Sequence, residues 1–189
     1  MMKKFGALYS MLAVAVLTVA PLAQEEGGEG GMPPMGRPAE MDQLSFLVGT
    51  WKADFQMKMA PDAEWATAPC TQVYEEILNG CAIRSHFSGT VMGMPFHGEW
   101  TMTYNRATGQ WQSVWIDDMG ANITYQSGGF NEDGQMVMLG EYIEAGQTAL
   151  MRDIVTPKSD TEYGWEMLIS NDGGETWWTQ MKANYVKEG

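Results

Sequence analysis

From Trp51 onward, apolar and polar residues alternate along most of the chain. The segment WKADFQMKM puts Trp51, Ala53, Phe55, Met57 and Met59 on one face and Lys52, Asp54, Gln56 and Lys58 on the other. FHGEWTMTY repeats the pattern with Phe96, Gly98, Trp100, Met102 and Tyr104. Successive strand residues point to opposite sides of a sheet, so a period of two marks a strand with one buried face. TQVYEEI, AIRSHFSG, QWQSVWID, ANITYQSGGF, QMVMLGEYI, TALMRDIVT, EYGWEMLIS and TWWTQMKANYV read as further strands. Turn pairs at Asn79-Gly80, Asp133-Gly134 and Asp172-Gly173 separate some of them. This predicts about ten antiparallel strands at spacings of about 8 to 14 residues.

One segment departs from that period. PAEMDQLSFLVG, Pro38 to Gly49, has an acidic start, Leu44, Leu47 and Val48 at helical spacing, and Gly49 to end it. It predicts a short helix leading directly into the first strand. A meander of that many strands leaves two exposed edges unless it closes on itself. The expected fold is therefore all-β, a single antiparallel up-and-down β-barrel whose N-terminal helix caps one end.

Several stretches carry a family resemblance. Gly49-Thr50-Trp51, opening the first strand after the helix, resembles the G-x-W start of lipocalin-like calycins. GMPFHGEWTMTYNRATGQWQSVWIDDMG, with MRDIVT and the closing MKANYV, is similar to the DUF1579 family. The similarity runs over nearly all of Met41 to Lys187, and PFHGEWTMTYN…WIDDMG is its specific part. The resemblance implies a lipocalin-like barrel and an exported bacterial protein, and it carries over no activity.

Composition adds the compartment. MMKKFGALYSMLAVAVLTVAPLAQ has a basic start at Lys3 and Lys4, an apolar run and a small residue, Ala23, before the expected cut. That is the layout of a secretory signal peptide over residues 1–23. The apolar run is short for a membrane anchor, so no stable membrane span is expected after cleavage. Residues 24–39, rich in Gly, Pro and Glu, read as a flexible leader, and residues 40–189 as one barrel domain. The expected location is periplasmic or secreted. Lys3 and Lys4 leave with the signal, so nine basic residues face 24 acidic ones, a net charge of about −15. Such a chain repels nucleic acid.

Candidate chemistry is sparse. Eight tryptophans and 17 methionines suit either a filled interior or an apolar pocket. Small barrels occur in both forms. Trp51, Trp100, Met102, Trp115, Trp165 and Met167 fall on inward phases. The leading expectation is non-enzymatic binding of a small apolar or amphipathic molecule inside the barrel. Trp100 and Trp115 would be its apolar walls, and Asp117 and Arg152 its orienting polar groups. Three other readings stand beside it. M-x-M pairs at Met57/Met59, Met92/Met94 and Met136/Met138, with His86 and His97 flanking the second, have the soft donors that select Cu(I). Asp117 would be the acid/base of an enzyme. A solid barrel would act through its outer surface. No catalytic residue or metal site is assigned. Two histidines do not make a zinc set, no cofactor is implied, and no nucleophile or phosphate-loop motif is present.

Two local features remain. Asn79-Gly80 as a hairpin turn would set Cys81 opposite Leu78 and Cys70 opposite a residue near Gly89, too far apart for a disulfide. Two free thiols are expected. Ser170, Asp172, Gly174, Thr176 and Trp177 fit S-x-D-x-G-x-T-W, which resembles the Asp-box of sialidase propellers. A propeller needs several four-stranded blades, more than this chain can build. The motif is therefore expected to be the hairpin tip between the last two strands.

Overall fold

In the computed structural model, which describes residues 35–144 and 146–189, a short helix is followed by ten strands. The signal peptide and most of the leader lie outside the described residues. The strands are β1 (Gly49–Met57), β2 (Ala66–Ile77), β3 (Ala82–Val91), β4 (Met94–Asn105), β5 (Gln110–Asp117), β6 (Ile123–Phe130), β7 (Met136–Glu144), β8 (Gln147–Ser159), β9 (Glu162–Ser170) and β10 (Trp178–Lys187). Each pairs antiparallel with its neighbour in sequence, and β1 pairs with β10 to close the barrel. The expected class and strand count hold. Trp100 lies opposite Trp115, and Cys70 opposite Gly89, as the Asn79-Gly80 turn requires. Both thiols are free, with Cys70 buried.

The helix is of the 3-10 type, Ala39–Leu47, and this corrects its apolar face. With three residues per turn, Met41, Leu44 and Leu47 share one side and are buried, whereas Val48 is exposed. Arg37, in the segment read as leader, already makes ion pairs with Asp42 and Glu76.

The helix covers the end of the barrel where β1 begins. The Trp51 indole N–H donates to the Leu47 carbonyl at 2.6 Å, and Lys187 Nζ donates to the Phe46 carbonyl at 2.9 Å. Gly49 makes room for that lysine: its φ is +128°, and a Cβ there would sit 2.8 Å from Lys187 Cε. Beneath the helix, Tyr163 packs edge-on to Trp51 and stacks on Tyr185. Ile83, Met102, Trp111 and Met136 complete a filled plug, each at most 3% accessible.

Closure is uneven. β1 and β10 pair at Trp51↔Lys187, Lys52↔Val186, Gln56↔Lys182 and Met57↔Met181, and the ladder is interrupted between these two sets. Outside the interruption lies an open groove of about 630 Å³, whose lining includes Lys52, Ala53, Asp54, Cys70 and Asn184.

Replacing Trp51 by Phe keeps an aromatic ring but removes the indole donor to the Leu47 carbonyl. Leaving a buried acceptor unpaired costs about 1–3 kcal/mol. Trp51→Phe is expected to lose that much stability in urea unfolding and to speed hydrogen exchange around Gly49. Wild-type stability would contradict this role for the indole.

Candidate functional site

Above the aromatic plug the interior changes character. On β2, β3, β5, β6 and β8 the next inward positions are polar: Gln72, Ser85, Ser113 and Gln126, all buried, and Asp153. Gln72 Nε2 donates to Ser85 Oγ at 2.9 Å, and Ser113 Oγ donates to Gln126 Oε1 at 3.2 Å. Gln126 Nε2 donates to Asp153 Oδ2 at 2.8 Å. Beyond this layer, toward the far end, buried side chains such as Phe55, Phe87 and Ile169 stand beside inward ones that keep some accessible surface. Phe96, Trp100, Trp115, Trp165 and Met181 point inward yet are only partly buried. The apolar residues there divide into two clusters. The larger includes Phe55 and Phe87, and the smaller is built on Ala149, Met151, Met167 and Ile169 of β8 and β9. Trp165 and Met181 pack against both. The half away from the helix thus combines buried apolar side chains with partly accessible aromatic and thioether ones next to the polar layer.

The four residues singled out in the sequence take different places. Trp100 lies edge-on to Tyr74, with ring centroids 6.2 Å apart. Trp115 packs against Phe87 and Phe96. Its ring lies over Gly98, where a Cβ would come within 2.1 Å of the indole. The missing side chain lets the indole rest along the wall. Asp117 holds it there: Oδ2 accepts the Trp115 indole N–H at 2.8 Å, while Oδ1 accepts the amides of Met119 and Gly120 at 3.0 and 2.6 Å. Asp117 is therefore engaged as a turn cap and anchor. Arg152 is on the outer wall. Its neighbours Met151 and Asp153 take the inward phase, and its guanidinium lies 4.0 Å from the Trp177 ring centroid. It cannot orient a molecule in the lumen from that side.

The Asp-box-like segment is the β9–β10 hairpin tip. Asp172 accepts the Thr176 hydroxyl at 2.5 Å, the Thr176 amide at 2.9 Å and the Ser170 hydroxyl at 2.7 Å. The Thr176 hydroxyl first, then the backbone amide and the Ser170 hydroxyl, hold its carboxyl well below the usual range. The Trp177 indole donates to the Gly174 carbonyl at 3.0 Å. Every polar group of the motif is occupied within the turn.

The methionine pairs do not form one class. Met136 and Met138 are core, Met57 is buried while Met59 is exposed, and Met92 and Met94 are exposed. His86 lies six residues from Met92, roughly 20 Å of extended strand, and is between Glu75 and Glu99 on the outer face. His97 also faces outward, so the flanking histidines do not converge on Met92 and Met94. Among the described residues no three His, Cys, Asp or Glu side chains cluster to hold a metal.

Asp153 is a polar residue of the interior to which the sequence reading assigned no ligand-binding role. It follows Ala149 and Met151 on the same phase of β8, and that phase was the available signal. Its Oδ1 and Gln180 Oε1 are the two buried side-chain atoms without a partner among the described residues. Burial pushes its carboxyl up from 3.8 to about 7, with the Gln126 hydrogen bond opposing. The native state then holds a proton that the unfolded chain releases at lower pH. This contribution to stability is whole below about pH 4 and is lost as pH rises through about 7. Stability in urea is expected to fall between pH 5 and pH 8, and Asp153→Asn is expected to flatten that fall. An unchanged pH dependence in the variant would place the titration elsewhere.

The barrel resembles two solved structures at low sequence identity. One is the S-type phycobiliprotein lyase CPES from Guillardia theta, with a TM-score of 0.55 at 13% identity over 82% of this chain and 95% of that one. The other is Rv2717c from M. tuberculosis, with a TM-score of 0.56 at 11% identity over 81% and 99%. These likenesses support the barrel fold alone. No curated protein matches the chain. No helix of the described residues is long and apolar enough to cross a membrane. A family model does match, over residues 38–187, from helix to last strand: the chain belongs to DUF1579, described as a protein of unknown function.

Proposed function

We propose that this protein is an exported, non-enzymatic barrel that takes a small apolar or amphipathic molecule into the half away from its helix. One observation carries the reading. In the half away from the helix, the large inward rings of Trp100, Trp115 and Trp165 keep accessible surface beside the buried Phe55, Phe87 and Met167. A solid interior would bury all of them alike. Concave sites lined by aromatics with a few polar groups are the usual form of small-molecule pockets. Export to the periplasm or the exterior rests on the leading segment of the sequence.

In this reading Trp100 and Trp115 are walls, and Gly98 and Asp117 keep the Trp115 indole flat. Dodecanol supplies a neutral test molecule, with tryptophan emission as the readout and native mass spectrometry for stoichiometry. One dodecanol is expected per barrel. Trp100→Ala is expected to weaken binding about tenfold, the equivalent of about 1.4 kcal/mol of lost contact. Gly98→Ala is expected to weaken it comparably by driving the Trp115 ring into the lumen. Absence of binding, or affinities indifferent to both changes, would remove the proposal.

A further inference from the structure

Among the described residues, the interior contains an acid and no base to match it. Asp153 sits at the junction of the polar floor and the open half, opposite Met138 of β7 and Met167 of β9 in the two ladders. One of its oxygens is held by Gln126, and the other, Oδ1, is buried without a donor. None of the inward residues that form the floor and walls is Lys, Arg or His. Arg152, the adjacent cation in sequence, is stacked outside on Trp177. Lys187 is at the closed end, bonded to the Phe46 carbonyl above the aromatic plug.

An unpaired carboxylate in a lumen is costly unless something pairs with it. The protein's own neighbours do not. β7 and β9 present thioethers. β6 presents the Gln126 amide, whose oxygen is already an acceptor for Ser113. From β2, Tyr74 lies close enough to feel the charge, but its hydroxyl is paired with that of Tyr163 at 3.0 Å. Burial pushes both phenols above their ordinary range, so they are neutral near pH 7. The Cys70 thiol, also on β2, is pushed up by burial and is neutral too. The partly accessible inward rings of this half, Trp100, Trp115 and Trp165, are aromatic, and aromatic faces attract cations.

We infer that the ligand of the lumen is an amphipathic amine, whose ammonium group donates to Asp153 Oδ1 while its apolar body lies against Trp100, Trp115 and Trp165. This deepens the binding function proposed above and rests on it. An ammonium supplies at once the missing donor and the missing counter-charge. Its arrival favours the ionised acid, so binding is linked to release of whatever proton Asp153 carries.

Three molecules with the same twelve-carbon chain separate the possibilities: dodecylammonium, dodecanol and dodecanoate, each titrated into the full protein below its micellar concentration. At pH 8 dodecylammonium is expected to bind at least tenfold tighter than dodecanol, and dodecanoate weakest. The preference is expected to shrink at pH 5.5, where Asp153 is protonated. Asp153→Asn is expected to bring the ammonium-to-alcohol ratio to about one. Should that variant fail to fold, calorimetry of the wild type in buffers of different ionisation enthalpy gives the same answer. Dodecylammonium at pH 7 is expected to release about half a proton, as a carboxyl titrating at about 7 requires, and dodecanol none. Equal affinity for ammonium and alcohol in the wild type overturns the amine assignment and leaves the apolar pocket standing. An ammonium preference that survives in Asp153→Asn also overturns it, since the acidic surface alone would then explain the preference. If none of the three binds, the pocket itself falls, and the amine assignment with it.

Discussion

The hydrogen bond from the Trp51 indole to the Leu47 carbonyl makes the two ends of this barrel unlike. It ties the 3-10 helix to the first residues of β1, so one mouth is covered by the segment that leads into the wall. With the helix fixed, Tyr163, Tyr185 and Trp111 can be dry and closely packed beneath it. The cost of enclosing so many polar-tipped aromatics is met locally: the Tyr74 and Tyr163 hydroxyls serve one another, and the indole N–H serves the helix. The other mouth has no such lid among the described residues, and Phe96, Trp115 and Trp165 there keep part of their surface.

Between the two ends lies a compromise between stability and a usable interior. Gln72, Ser85, Ser113 and Gln126 satisfy most of their hydrogen-bonding groups among themselves, which lets polar side chains sit in a barrel without water at each one. Asp153 completes this layer imperfectly. A core selected for stability alone would place an apolar residue there. Gly98 belongs to the same compromise: it contributes no packing of its own, and its lack of a side chain allows a large ring to lie along the wall.

Much of this architecture was legible in the sequence because strand alternation is a local property. Every strand announced itself through its own period, and Asn79-Gly80 set the register between β2 and β3. Three features were less accessible, each for a physical reason. The helix type depended on a three-residue spacing that differs from the α pattern by a single position, Val48. Arg152 and Asp153 are adjacent, and choosing which faces inward meant extending the phase of Ala149 and Met151 through a charged residue, against the expectation that the interior is apolar. Asp117 carries the right phase for the lumen, but its carboxylate is claimed by a turn whose amides, at Met119 and Gly120, no periodicity identifies. The Asp-box-like tip lay at the other extreme, since its partners lie within eight residues and its chemistry could be read in place.

The interrupted ladder between β1 and β10 bears on how the barrel is made. All other strand pairs join neighbours in sequence and can zip as hairpins, with short loops to close. The seam alone joins chain segments as distant as Trp51 and Lys187, so it carries the largest loop-closure entropy and can form only after the curled sheet brings its edges together. Its ladder has two short runs of pairs in place of a continuous one. Much of the holding at the covered end falls to side chains, with Trp51 under Lys187 and Tyr185 stacked on Tyr163. The seam is the latch of the barrel: the last contact of assembly and the first line along which the wall would part.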